Sequence, residues 1–258
     1  NLGRIYWKKV YELPEAGRTA RGRALVNMLQ MKPDESITAI LPVREFEDDK
    51  FVVMATKRGI IKKVPLMEFS RTRRSGIVAC TLKENDTLIG VDISSGQDDV
   101  LLSTREGMAI RFAEDQVRAM GRSAAGVRGI GLGSGDQVVG MAVVRKSDEA
   151  GAEDKALLTV CENGYGKRTS LSDYRTQNRG GKGLIDIKAD DRNGPVVSVS
   201  VITESSELML ITTSGMVIRF RAKDVSIIGR NTKGVRLINL GDGEKVVAVA
   251  QIRDSNDE

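Results

Sequence analysis

Histidine is absent from this chain of 258 residues. That absence excludes an imidazole general base, a Ser-His-Asp nucleophile and every zinc site built on histidine. Cysteine is nearly absent too. Cys80 and Cys161 are too few for a disulfide framework and too scattered for a metal site, and their apolar neighbours mark them as core thiols. No apolar run approaches the length of a membrane span, and no signal-peptide pattern opens the chain. With lone thiols this leads to an expected reducing, cytoplasmic setting and no membrane partner. Aromatic residues are only 4% of the chain. Proteins that hold single strands stack bases on exposed rings. Here Phe51, Phe69, Tyr174 and Phe220 stand at strand or repeat-register positions and are expected in the core, and Trp7 alone is no stacking platform.

What the chain does have is paired glycine. Gly3/Gly22, Gly59/Gly76, Gly107/Gly126, Gly164/Gly183 and Gly215/Gly234 are each 17 or 19 residues apart, and the first members follow one another at 56, 48, 57 and 51 residues. A period of about 50 residues points to a propeller-like array of small sheets, since one such unit cannot bury its apolar face alone. The repeat also sorts charge. The five glycine-to-glycine intervals hold 23 Lys and Arg against 7 Asp and Glu, whereas the rest of the chain holds 17 against 28.

Each unit reads as four strands. A short aliphatic run (Phe51-Val-Val-Met, Val100-Leu-Leu, Ala156-Leu-Leu, Leu208-Met-Leu-Ile) leads to a tight turn at the first glycine, where a positive φ is tolerated. The return strand carries a cation four residues on, at Lys63, Arg111, Arg168 and Arg219. At the tenth position stands an apolar residue, preceded each time by an acid or amide: Glu12, Glu68, Gln116, Asp173 and Asp224. A basic loop then runs to the second glycine and a third strand. A fourth is expected at Ile37-Thr-Ala-Ile, Leu88-Ile-Gly-Val, Val138-Val-Gly-Met, Val196-Val-Ser-Val and Val246-Val-Ala-Val. The expected fold is one all-β domain over 1–258, with units at about 1–50, 51–99, 100–155, 156–206 and 207–254 and a charged surface insertion at 146–155.

The basic loops are the candidate site. Arg18, Arg122, Arg179 and Arg230 each precede a second glycine by four residues, and the shorter second unit supplies Arg71, Arg73 and Arg74. With Arg21, Lys182, Lys233 and the return-strand cations, they form an expected basic stripe that neutralises phosphates and releases counterions. With so few aromatics the expected ligand is duplex DNA, held by its backbone. The segment 126–135 has the glycines of a phosphate loop but aligns with strands, and no helix is expected after it. No tyrosine is flanked by a base or a carboxylate cluster. No cofactor, metal or catalysis is expected of this chain.

Five segments carry a family resemblance: Asn178-Arg-Gly-Gly-Lys-Gly, Val127-Arg-Gly-Ile, Asn163-Gly-Tyr-Gly-Lys-Arg-Thr, Ile228-Gly-Arg-Asn-Thr-Lys-Gly-Val and Val10-Tyr-Glu-Leu-Pro-Glu-Ala. Together they resemble the C-terminal domain of the bacterial DNA gyrase A protein, over the whole chain. The resemblance implies a six-bladed β-pinwheel whose four-stranded blades exchange strands. It also implies that duplex DNA wraps with positive handedness around a basic rim. The partners it implies are the remainder of gyrase A, together with gyrase B, in the bacterial cytoplasm. The family's Gln-Arg-Arg-Gly-Gly-Lys-Gly box has its nearest counterpart at Gln177–Gly183, in the fourth unit rather than the first. A box-bearing sixth unit is therefore expected before Asn1. A topoisomerase IV-type domain and a protein-binding propeller are the rival expectations.

Overall fold

The computed structural model describes residues 1–17, 20, 22–146 and 155–252; the expected insertion falls largely outside the described residues. The first unit contributes one short strand, β1 (Arg4–Ile5). The second forms β2 (Phe51–Thr56), β3 (Ile60–Pro65), β4 (Ile77–Val78) and β5 (Leu88–Ser94). The third forms β6 (Asp99–Thr104), β7 (Met108–Ala113), β8 (Val127–Arg128) and β9 (Val138–Val144). The fourth forms β10 (Ala156–Cys161), β11 (Tyr165–Ser170), β12 (Leu184–Ile185) and β13 (Val196–Ile202). The fifth forms β14 (Glu207–Thr212), β15 (Val217–Arg221), β16 (Val235–Arg236) and β17 (Val246–Ile252).

The hairpins form where the sequence places them. Gly59 turns at φ +78°, and the hydroxyl of Thr56 accepts the amide of Ile60 at 3.2 Å, as Thr104 accepts that of Met108. The acids excluded from the basic intervals cap the same turns. Asp86 accepts the amide of Arg58, and Asp136 that of Glu106, both at 3.0 Å.

The sheets do not follow the units. Their strand orders are β5-β2-β3-β8, β9-β6-β7-β12, β13-β10-β11-β16 and β17-β14-β15, with β1 paired to β4. In the second to fifth units the third strand leaves its own hairpin and pairs with the return strand of the preceding unit. Backbone hydrogen bonds fix this exchange: the carbonyl of hairpin glycine Gly59 accepts Gly129 N at 2.8 Å, that of Gly107 accepts Asp186 N, and that of Gly164 accepts Leu237 N. The expected strand at Ile37–Ile40 does not form; no hairpin strand lies beside it as β2 lies beside β5, and Ile40 is 78% exposed.

The core lies between sheets. Val53, Ala55 and Ile61 of one sheet pack on Val100, Leu102, Ile110 and Phe112 of the next, and Leu101, Ala109 and Val144 pack on Leu157, Cys161 and Tyr174. An inner sheet is therefore apolar on both faces, which is why its hairpins read as unbroken aliphatic runs; each fully buried Leu, Ile or Phe side chain contributes about 2 kcal/mol. The inner strands β5, β9, β13 and β17 neighbour one another in succession. The exchanged strands β8, β12 and β16 consequently form the opposite, outer edge.

Candidate nucleic-acid interface

Along that outer edge the basic loops of the third, fourth and fifth units each lie on, or just beyond, the exchanged strand of the unit before. Arg179 donates through Nε to the carbonyl of Gln116 at 2.9 Å and through Nη1 to that of Arg128 at 2.9 Å. Arg230 sits one unit further and donates through Nη1 to Ile185 O at 3.2 Å. Arg128 and Ile185 hold the same place, two residues after a second glycine. Gly180 N donates to Gly129 O at 2.7 Å and Gly131 N to Gly181 O at 2.8 Å, so the glycine box rides on the backbone beyond β8. Two of the recurring acids and amides meet the loop arginines. The side chain of Gln116 accepts Arg179 N at 2.8 Å, and Glu68 faces Arg122 at 3.9 Å. The loops of the third, fourth and fifth units therefore run in register: Thr81, Gly131 and Lys188, each five residues after a second glycine, donate their amides to Ala124, Gly181 and Thr232 of the next loop.

Of the residues expected on a basic stripe, Arg71, Arg73, Arg74 and Lys182 are exposed, and Arg122, Arg179 and Arg230 are half-buried. Lys233 is exposed and paired with Asp190, whose carboxyl it holds below the usual range. Arg18 and Arg21 lie outside the described residues.

Lys63, Arg111 and Arg168 depart from the expectation: all three are buried. Lys63 reaches the next unit at the carbonyl of Glu114 (3.1 Å) and its carboxylate (3.3 Å). Arg111 pairs with Asp99 at 2.8 Å and donates to Leu171 O of the next unit. Arg168 donates to Val225 O at 2.6 Å and to Lys223 O. These cations are staples between neighbouring units, buried in the seam rather than exposed on the rim. Arg219 is exposed and turns back to Glu207 on its own hairpin.

The sequence reading missed two groups. Lys62 and Lys167, each one residue before a staple, are the most deeply buried cations among the described residues, at 1% and 0% exposure. On the outer edge, Arg128 and Arg236 stand exposed on β8 and β16, with Arg118 and Arg175 on the loop starts. Arg236 donates to the Tyr165 hydroxyl at 2.9 Å, and Arg192 stacks over the same ring at 4.9 Å. Arg192 and Arg236 together hold that phenol below its ordinary pKa. The signal for Arg128 and Arg236 was in the repeat: both follow a second glycine by two residues.

Strand-exchanged sheets in series, with arginine loops along the outer edge among the described residues, define a propeller-like repeat protein with a cationic rim. The family model described as "DNA gyrase C-terminal domain, beta-propeller" matches residues 1–44, 50–95, 98–145, 156–203 and 206–253, and the chain belongs to that family. The DNA gyrase A protein of Escherichia coli (strain K12) is 49% identical over 256 residues, covering 99% of this chain and 28% of that protein. The gyrase A protein of Staphylococcus aureus (strain MRSA252) is 44% identical over 259 residues, covering 100% of this chain and 29% of that protein. The chain thus spans less than a third of the length of these curated relatives. Among solved structures, a DNA gyrase A C-terminal domain superposes with a TM-score of 0.83 at 26% identity, covering 98% of this chain and 80% of that one. The C-terminal domain of a DNA topoisomerase IV superposes with a TM-score of 0.87 at 23% identity, over 98% and 77%, and shares the fold.

Proposed function

We propose that this chain binds duplex DNA along its outer edge and bends it, as the wrapping domain of a DNA gyrase. The observation that carries this is the in-register stacking of the arginine loops: those of the third, fourth and fifth units each rest on the segment donated by the unit before, so phosphate contacts recur along a line. The exposed cations Arg71, Arg73, Arg74, Arg128, Lys182 and Arg236, together with Arg122, Arg179 and Arg230, are the contacts; the buried staples are not. A wrap of positive handedness lets the whole enzyme introduce negative supercoils. The ATPase and the cleavage chemistry then belong to the remainder of gyrase A and to gyrase B, in the bacterial cytoplasm. The relatives at 44–49% identity bear the gyrase name, which favours this over a topoisomerase IV domain. The exposed cations on the rim favour DNA over a protein ligand.

Titrating random-sequence duplexes against salt tests the reading. The expected log–log slope is about −0.9 per phosphate neutralised, summed over several loops, with little sequence preference. A slope worth only one or two phosphates, or tighter binding of single strands, would contradict it. Replacing Arg128 and Arg236 by Gln is expected to lower the slope by about 2.

A further inference from the structure

Lys62 and Lys167 occupy the same place, three residues after the first glycine of the second and fourth units, and meet the same two carbonyls. Lys167 Nζ donates to Asp186 O at 2.6 Å and to Arg230 O at 2.8 Å; Lys62 Nζ donates to Ala79 O at 2.8 Å and to Arg122 O. In each case one carbonyl lies three residues after the second glycine of the lysine's own unit, and the other belongs to the arginine of the next unit's loop. Lys167 also reaches Gly229 O at 3.1 Å and Thr169 Oγ1 at 2.9 Å, with the Asp186 carboxylate at 3.4 Å. That carboxylate in turn accepts the Tyr174 and Thr159 hydroxyls. Ammonium groups are costly to bury, and methionine or leucine would fill the same space at lower cost. Here they crosslink two main-chain segments, immediately beneath the loops assigned to DNA.

The third unit supplies the contrast. Ile110 stands where the lysines do, and the Arg179 loop is held through Gln116, whose amide both accepts Arg179 N and donates to Gln177 O at 3.2 Å. The equivalents of Gln116 beside the lysine-held loops are Glu68 and Asp173, which as carboxylates cannot donate. One anchor or the other serves each of these loops.

We infer that Lys62 and Lys167 are positioning residues for the DNA contacts: each ammonium locks the backbone of the Arg122 or Arg230 loop, so that the loop resists the restoring force of a bent duplex. This rests on the DNA reading above. A loop without its anchor still carries its charge and still captures DNA, but yields when the duplex pulls straight.

The test uses Lys62→Met, whose ammonium lies against carbonyls, and Lys167→Met combined with Asp186→Asn, so that no buried carboxylate is stranded. Hydrogen exchange without DNA is expected to quicken about tenfold or more at Ala124 in the first variant and at Thr232 in the second, with Gly180 unchanged as an internal control. With a donor–acceptor-labelled duplex of about 40 bp, low-salt capture is expected to stay within about twofold of wild type while end-to-end approach falls, because capture follows total charge and bending follows loop rigidity. Unchanged exchange, or faster exchange with wild-type bending, overturns the inference and leaves the DNA reading standing. A wild-type chain that does not bend duplex overturns both as statements about DNA, while the exchange data still report whether the lysines hold the loops.

Discussion

At the scale of the residue, burial decides what a charge or a thiol does. Arg111 and Arg71 are both repeat-loop or repeat-strand arginines, yet one is sealed against Asp99 and the other is solvent-exposed. Arg111→Ala is expected to cost about 3 kcal/mol in urea unfolding, because it leaves a buried carboxylate unpaired; Arg71→Ala stays within about 0.5 kcal/mol. Equal effects would mean that Arg111 is no staple. Cys161 offers a pH test. Burial pushes its thiol from 9.0 up to about 12. In the unfolded chain the thiol ionises near its ordinary value, so its contribution is intact below about pH 9 and is lost as pH rises towards 12, at about 1.4 kcal/mol per pH unit. Unfolding of wild type and Cys161→Ala at pH 8, 9.5 and 10.5 should show the wild-type advantage shrinking; a constant difference would place the thiol in solvent contact.

At the scale of the element, the second glycine governs the exchange of strands. Gly183 lies at φ +80°, and a Cβ there would come within 3.0 Å of the Ala109 carbonyl on the neighbouring hairpin. Gly183→Ala must therefore move β12 off β7, with a loss of about 3 kcal/mol. Gly121, in the third unit's basic loop, has nothing within 4 Å of such an atom, and its φ is unremarkable for any residue. Gly121→Ala is expected to leave the melting temperature within a few degrees. Melting curves of the two variants compare the cases directly. The hairpins were legible because each is a local pairing across a glycine turn. The exchange was not legible in the repeat, since β4, β8, β12 and β16 are two residues long and their partners lie in another unit; only the family resemblance suggested it. The segment at Ile37–Ile40 shows the same limit: its apolar pattern matches β5, but a pattern without a neighbouring strand does not make a sheet.

At the scale of the whole molecule, the question is mechanical. Bending about 40 bp through half a turn costs on the order of 10 kcal/mol by elastic estimates. One loop cannot supply that, whereas several loops in register can, each through a few phosphates. Arg122, Arg179 and Arg230 contribute charge to that line, and Arg179 and Arg230 also tie their loops to the strand before. Replacing all three by Gln is therefore expected to reduce duplex bending more than duplex capture, which the remaining exposed cations support. Energy transfer between labelled duplex ends measures the bend, and equal end approach with wild type and triple variant would show the loops to be ordinary solvated surface.

The amino-acid sequence by itself determined the number of visible units, the hairpins, the all-β class and the sorting of cations into five intervals, because each of these is a local or periodic property of the chain. It could not separate the cations that meet solvent from those that do not. Lys63, Arg111 and Arg168 share their intervals with the exposed Arg71, Arg118 and Lys182 respectively, and composition counts them alike. Tertiary structure divided them: Lys63, Arg111 and Arg168 point into the seams between sheets, where carboxylates and carbonyls replace water, while the exposed loop cations lie on the outer edge. That division arises from strand exchange, which brings residues some 50 to 60 positions apart into contact and which no local pattern encodes.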